Sequence, residues 1–355
     1  MSRLTHLDWL RGLAVLIMIE AHTIDSWTRV ADRKSDAYQW ATVVAGFGAP
    51  AFLFLAGISL MLAAGGRLRR GLTPVEVARS AFRRGLWIFA LAFLFRLQSV
   101  VISGASWQSM LKVDILNIMG ISMMAGALSL AIAPTLSRRM IVFIGLTVAV
   151  AMSTPLIRET PLLDGLPDWL EAYLRPLRGR TNFTLVPWAA FFTGGCVVGA
   201  CLDAWPAEAR RLNLWLAVAG ASVALAGYAT SFLPPLYREV SFWTSSPTFF
   251  FLRLGILTLS VPAAYALGRV WEGQALQEFG RASLFVYWIH VELVYGLPFA
   301  FLHRRLSFPM ALLAFALFAL ALFGLVRLKN WVQQGRSTQT GSVLSALRRT
   351  PARPQ

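Results

Sequence analysis

Residues that ligate metals or form disulfides are scarce in this chain. Its 355 residues include two cysteines and four histidines. Cys196 and Cys201 stand five apart in one apolar run, so they do not share a helix face well. They read as small buried packers, which excludes a disulfide framework and a thiolate metal centre. The histidines show no His-Glu-x-x-His or similar ligand spacing, so no metal is expected. A glycine-rich nucleotide loop, a Ser-His-Asp chain motif and a repeat of fixed period are also missing. Charge is scarce as well, at 14% of residues against about 25% in a soluble domain. Acidic residues are the scarcer sign, 17 against 33 lysines and arginines, for a net charge of +16. In a soluble chain that excess would suggest nucleic acid. Here the arginines gather in short loops and no nucleic-acid motif occurs, so the expected partner of that charge is the lipid headgroup.

What is present is apolar sequence. The chain is 57% hydrophobic, with a mean hydropathy of +0.60. Ten runs approach the ~20 residues needed to cross a bilayer. They lie near 9–27, 41–64, 81–98, 113–132, 139–154, 186–203, 213–233, 248–268, 279–300 and 308–327. The predicted fold is therefore all-α, a polytopic integral membrane protein with about ten transmembrane helices. Residues 1–330 form one transmembrane domain, and 331–355 a basic tail expected to be disordered on the membrane surface. Arg11 and Glu20 inside the first run argue against a cleaved signal peptide.

Orientation follows from arginine. Arg67, Arg69, Arg70, Arg79, Arg83 and Arg84 crowd the second connection, which makes it cytoplasmic and gives N-in and C-in. Thr73-Pro74-Val75-Glu76 reads as a capping box opening a short surface helix before the third span. The longest connection, about 154–185, carries five prolines with Pro187 and is expected outside, as a plain connector or as a lid or acceptor platform.

Ionisable residues inside apolar spans cost several kcal/mol unless paired or lining a cavity, and so mark candidate sites. Arg11 and His22 are eleven residues apart, about 20° short of or past full turns, so they share one face about 16 Å apart along the axis. Asp25, three residues on, could accept a ring N–H from His22 and fix its tautomer. Asp8 could pair with Arg11, while Glu20 points about 200° away from His22. A histidine kept neutral by burial suits a general base. The competing reading is an interfacial ion pair plus a helix-to-helix hydrogen bonder. In the fourth span Asp114 and Asn117 share a face at the depth of His22, as acceptor-binding residues or as a helix cap. In the ninth, Tyr287 and His290 share a face, and His290 either binds substrate or bonds a neighbouring helix.

The run from Leu7-Asp8-Trp9-Leu10-Arg11-Gly12 to Met18 resembles the catalytic domain of the heparan-alpha-glucosaminide N-acetyltransferase family. Ala49-Pro50-Ala51-Phe52-Leu53-Phe54-Leu55-Ala56-Gly57-Ile58-Ser59, Val113-Asp114-Ile115-Leu116 and the stretch Gly280 to His290 extend the likeness across most spans. The Arg11 and His22 spacing is also similar to the first-span signature of the related acyltransferase-3 enzymes. The resemblance implies transfer of an acyl group, expected to be acetyl, from cytoplasmic acyl-CoA to a hydroxyl or amine across the membrane. It implies that Arg11 holds the CoA end and that His22 is the base. The family's lysosomal pattern has asparagine at the His22 position and its histidine in the next loop. Here the loop from Thr28 to Tyr38 has none, which leaves His22 as the candidate of that kind.

Taken together, the sequence predicts a membrane acyltransferase in which His22 and Asp25 are catalytic. Arg11, Arg83 and Arg84 would bind acetyl-CoA, whose negative charge suits an arginine-rich rim. Asp114, Asn117 and His290 would bind a glycan or similar acceptor. The expected location is a bacterial inner (cell) membrane, and a homodimer is compatible with the sequence. The alternative is a transporter of a small molecule or lipid-linked glycan that uses the same buried charges.

Overall fold

Helix breaks, more than helix lengths, decide where this protein opens. The computed structural model describes residues 4–347, with side chains through residue 334. Its helices are α1 (Thr5–Trp27), α2 (Asp36–Ala45), α3 (Gly48–Leu68), α4 (Pro74–Ser103), α5 (Ile115–Ile132), α6 (Leu136–Glu159) and α7 (Asp168–Glu171). They continue with α8 (Leu185–Ala204), α9 (Ala209–Thr230), α10 (Pro247–Leu267), α11 (Gln274–Arg281), α12 (Ser283–Tyr295) and α13 (Phe308–Leu347). No strand longer than an isolated bridge occurs among the described residues. Eight helices, with α2 and α3 counted as one, are long and apolar enough to cross a membrane. α1 and the α11–α12 pair are apolar runs as well, but α1 carries Asp8, Arg11, Glu20 and Asp25, and α12 has only 13 residues. An all-helical backbone suits a membrane span, because a helix bonds its main-chain groups within itself.

The second run breaks at Gly46 and Phe47, between α2 and α3. Pro50 explains it, because it has no N–H for the Gly46 carbonyl four residues back. That carbonyl accepts instead from a guanidinium N–H of Arg253 on α10. The ninth run breaks at Ala282, which separates α11 from α12. The capping box at Thr73 and Glu76 forms as its sequence implies, with Thr73 N–H donating to Glu76 at 2.8 Å. It does not open a separate surface helix. No break follows Pro74, and α4 runs unbroken for 30 residues into the bundle.

The long connection is ordered against the bundle. Val113 donates to the Arg180 carbonyl and accepts from the Asn182 N–H, both at 2.9 Å, which stitches residues 180–182 to the head of α5. Arg175 draws the loop together by pairing with Glu171 at 2.5 Å and with Asp164. α13 continues past the expected end of the domain to Leu347, and residues 348–355 of the basic tail lie outside the described residues. Cys196 and Cys201 are free thiols.

α8 is the most enclosed helix, packed on α3, α5 and α6. α1 crosses α11 with backbone touching backbone. A Cβ on Gly280 would lie 2.0 Å from the Asp8 carbonyl oxygen, and one on Gly12 would lie 1.9 Å from that of Leu276. Only glycine allows this approach, and it brings Asp8, Arg11 and Arg281 to one place. Replacing Gly280 by alanine therefore must push the two helices apart. A Gly280→Ala protein should lose about 1–3 kcal/mol, the usual cost of overpacking. Its melting midpoint in detergent should fall by several degrees. Gly66→Ala is the control, because nothing lies within 4 Å of a Cβ there. An unchanged midpoint in Gly280→Ala would refute the close crossing.

Candidate functional site

One cavity of about 1480 Å³ runs along α1, from Arg11 to His22 and Asp25. Its walls come from α1, the α2–α3 break, α4, α5, α10, the α11–α12 break and residues 181–183. One end is cationic, with Arg11, Arg67, Arg84 and Arg281 in the lining. The middle is apolar, with Met18, Phe52, Ala56, Leu91 and Met119. The far end carries His22, Asp25, Arg96, Lys112, Asp114 and Tyr295.

At the cationic end Asp8 is nearly fully buried and is shared by two arginines. Arg11 reaches it at 3.0 Å and Arg281 at 3.6 Å. Arg11 also donates to the Ser59 hydroxyl on α3 at 2.7 Å. These contacts hold the Arg11 guanidinium at the cavity wall. Neither Arg67 nor Arg84 pairs with a carboxylate among the described residues. Arg83 is exposed and outside the lining, since the adjacent residue on a helix is turned about 100° away.

At the other end the central contact is between two histidines. His22 Nδ1 and His290 Nε2 are 2.8 Å apart, with the rings nearly coplanar at 8°. His290 Nδ1 lies 2.8 Å from the Val286 carbonyl oxygen one turn back on α12. A carbonyl cannot donate, so His290 Nδ1 carries the proton and, in the neutral ring, Nε2 accepts. His22 Nδ1 is then the donor, and His22 Nε2 keeps its lone pair. The network thus fixes both tautomers from one backbone oxygen.

This corrects two expectations. Asp25 does not orient His22, because the ring nitrogen available for that bond is taken by His290. The Asp25 carboxylate accepts from the Tyr295 hydroxyl at 2.9 Å and stands 3.7 Å from Arg33. His290 is wholly buried behind His22 and does not line the cavity, so it cannot touch a substrate there. Asp114 lines the cavity and is also a helix cap. One carboxylate oxygen accepts from the Ile115 N–H at 2.7 Å, and the other from Arg96 at 2.7 Å. Asn117 completes the capping box at 2.9 Å and donates to the Tyr173 hydroxyl at 3.3 Å. Both ends of its amide are occupied and it does not line the cavity, which removes it from acceptor binding. Burial pushes the Lys112 ammonium below the ordinary lysine range, and Arg96 adds to the push while Asp114 opposes it. Glu20 lies outside the lining, as its rotation from His22 requires.

Ser59, Arg67, Arg96, Arg253, Arg281 and Tyr295 line the cavity without having been picked out as site residues. A signal existed for two of them. Arg96 and Arg253 are arginines inside apolar runs, the criterion that singled out Arg11. Arg67 and Arg281 looked like ordinary loop and interface charges.

Comparison with known proteins agrees with the resemblance of the first span. No curated protein matches the chain. The family model described as heparan-alpha-glucosaminide N-acetyltransferase, catalytic, matches residues 3–231, from α1 through α9. That segment holds Arg11, His22, Arg84 and Asp114, whereas His290 and Arg281 fall beyond it. With well over half of its length matched, the chain belongs to the heparan-alpha-glucosaminide N-acetyltransferase catalytic family.

Proposed function

We propose that this membrane acetyltransferase moves acetyl from acetyl-CoA, bound at the arginine end of the cavity, to an amine or hydroxyl of a glycan-like acceptor at the His22 end, with His22 as general base. The bundle would cross the membrane ten times, N-in and C-in, in a bacterial inner membrane, so that the donor arrives from the cytoplasm. The observation that carries the proposal is the single cavity that joins four arginines to a histidine with a directed lone pair.

Length supports the donor. Between its first phosphorus and its sulfur, CoA has about thirteen bonds, just over four peptide repeats, or about 15 Å when extended. The helical rise from Arg11 to His22 is about 16 Å. With the phosphates among Arg11, Arg67, Arg84 and Arg281, the arm would lie along the apolar middle and the thioester would reach His22. Arginine suits this end because it forms paired, charge-assisted hydrogen bonds to phosphate oxygens.

The acceptor N–H or O–H would give its proton to His22 Nε2 as its nitrogen or oxygen attacks the thioester carbonyl carbon. The tetrahedral adduct would collapse with cleavage of the C–S bond. The departing CoA thiolate would take the proton back from His22, which restores the neutral ring. His290 Nε2 would steady the transient imidazolium through the hydrogen bond it accepts from His22 Nδ1.

Three measurements test this. His22→Ala should keep acetyl-CoA binding and lose roughly 10²–10⁴-fold in transfer rate from labelled acetyl-CoA. Transfer at the parent rate by a folded His22→Ala protein would refute the base. His290 is a positioning residue, so His290→Ala should lower kcat about 10- to 100-fold and leave KM for acetyl-CoA nearly unchanged. His290→Gln, whose amide oxygen can still accept from His22 Nδ1, should recover part of that loss. A KM effect without a kcat effect would contradict the positioning role. The double variant Arg67→Ala and Arg84→Ala should raise KM for acetyl-CoA at least about tenfold, with smaller change in kcat, since each lost charge-assisted bond is worth about 1.5–3 kcal/mol. An unaltered KM would place the CoA phosphates elsewhere.

A further inference from the structure

Arg83 is a cation of the basic end that the proposed chemistry leaves over. It is exposed, lies outside the cavity lining, and makes no hydrogen bond or ion pair among the described residues. It stands on α4 twenty residues before Ser103, about 30 Å along the axis, which is the thickness of a bilayer's hydrocarbon. With the far end of α4 at one boundary of the bilayer, Arg83 stands at the other. Successive helical residues turn by about 100°, so Trp87 lies about 40° and Leu94 about 20° round from Arg83. Both are exposed, at 63% and 46%. Arg79, one turn before Arg83, lies about 40° to its other side and is exposed as well. One stripe of α4 thus runs from two arginines into apolar surface.

Such a stripe alone is an ordinary lipid-facing surface with an aromatic at headgroup level. Trp87 sets this one apart, because it also lines the cavity. Leu91, Arg84 and Phe95 follow at about 40–80° beyond it and line the cavity too. Trp87 is therefore the edge at which the cavity wall meets the bilayer. Leu284, near the start of α12, is the other edge, since it lines the cavity and is 45% exposed. Further along, α4 and α12 close on each other. Phe95 packs on Tyr287 and Trp288 at ring separations of 5.5 and 5.6 Å, and the Ser103 hydroxyl donates to Glu292. Trp87 stands about two turns before Phe95, and Leu284 one turn before Trp288. On the arginine side of that closure both walls end in exposed apolar residues, and the cavity opens sideways.

We propose that this opening is a lateral portal that holds one anionic phospholipid, its phosphate on Arg83 and one acyl chain between Trp87 and Leu284. Charge and depth select this occupant. A guanidinium at the hydrocarbon boundary without a carboxylate partner suits a phosphate held at the same depth. Arg79 and Arg83, one turn apart, repel each other, and an anion beside them relieves that repulsion. A phosphodiester joined to an acyl chain supplies the anion at the surface and the hydrocarbon one turn deeper. The bound chain completes the cavity wall beside Leu91. The site requires only that the protein sits in a bilayer, so it does not depend on the acyl transfer proposed above.

Photolabelling of the full-length protein in phosphatidylcholine nanodiscs tests the portal. The probe is phosphatidylglycerol with a diazirine partway along one acyl chain, added as a minor component beside a matched phosphatidylcholine probe in separate samples. Peptide mapping should place the phosphatidylglycerol label on residues 83–91 and 284–288. The phosphatidylcholine probe should label these segments at least about fivefold less. Arg83→Gln should remove that difference. Arg210→Gln, which alters an exposed arginine of α9 outside the cavity lining, should keep it. Label spread evenly over α6 and α9, equal labelling by the two probes, or a preference intact in Arg83→Gln would each overturn the proposal. If Arg83→Gln does not fold, the parent protein's probe preference and the mapped positions still decide. Acetyl-CoA binding, measured on the same samples, should be unchanged in Arg83→Gln. Weakened binding there would return Arg83 to the donor site and overturn the proposal as well. If the parent protein binds no acetyl-CoA, acyl transfer falls and the labelling alone decides the portal.

Discussion

A charge placed in hydrocarbon must be paired or must face water, and that one constraint arranges this protein. The desolvation cost of an isolated ion in a span amounts to several kcal/mol. A protein of marginal stability cannot carry many such costs. The structure answers it at the charges that border the cavity. Asp8 is shared by Arg11 and Arg281. Asp114 is held by Arg96 and by the N–H groups of its own helix. Arg11, Arg281, Arg96 and Asp114 all border the cavity besides. Pairing and wetting are therefore provided by the same residues, and the cavity is where the charges had to go.

The cavity in turn depends on irregular backbone. Non-helical segments are tolerated at membrane depth only where they are enclosed by protein or line a space. Both breaks in the long runs obey this. Gly46 at the α2–α3 break and Arg281 and Ser283 beside the α11–α12 break all line the cavity. Each break also delivers a charge to it. Pro50 frees the carbonyl that draws Arg253 inward, and the turn at Ala282 leaves Arg281 at the end of its helix beside Asp8. Close backbone crossings through Gly12 and Gly280 keep α11 against α1 so that these contacts can form.

How much of this the sequence disclosed follows the range of the interactions involved. Apolar runs are local, so the helices could be read directly, and so could the capping box at Thr73, while a helix cap at Asp114 was one of two readings left open. The shared face of Arg11 and His22 is also local, because it needs only the pitch of one helix. Partners across helices were not legible. Asp25 was the natural candidate to orient His22 because it sits one turn away. The actual partner, His290, is 268 residues away in sequence and touches it only because α12 packs on α1. The same reason hid Tyr295 from Asp25 and Arg96 from Asp114. Arg83 and Arg84 were equivalent as sequence, and only the rotation of α4 puts Arg84 in the cavity lining and leaves Arg83 out of it.

Two neutral rings in place of a ring and a carboxylate change the chemistry at the base. A carboxylate partner would raise the proton affinity of His22 and favour the imidazolium at rest. His290 brings no charge, and a second proton on the pair would set two cations in contact. The histidine pair therefore keeps His22 Nε2 unprotonated while still fixing the tautomer through Val286. Asp25 and Asp114 line the same cavity as His22 and make their own bonds elsewhere, to Tyr295 and Arg96. Were His22 the base, as proposed above, such an arrangement would leave it free at rest and place negative charge where an imidazolium would form. It ties the function of α1 to the register of α12, since a one-residue slip of His290, about 100° of rotation, would break the bond to His22 and release both tautomers.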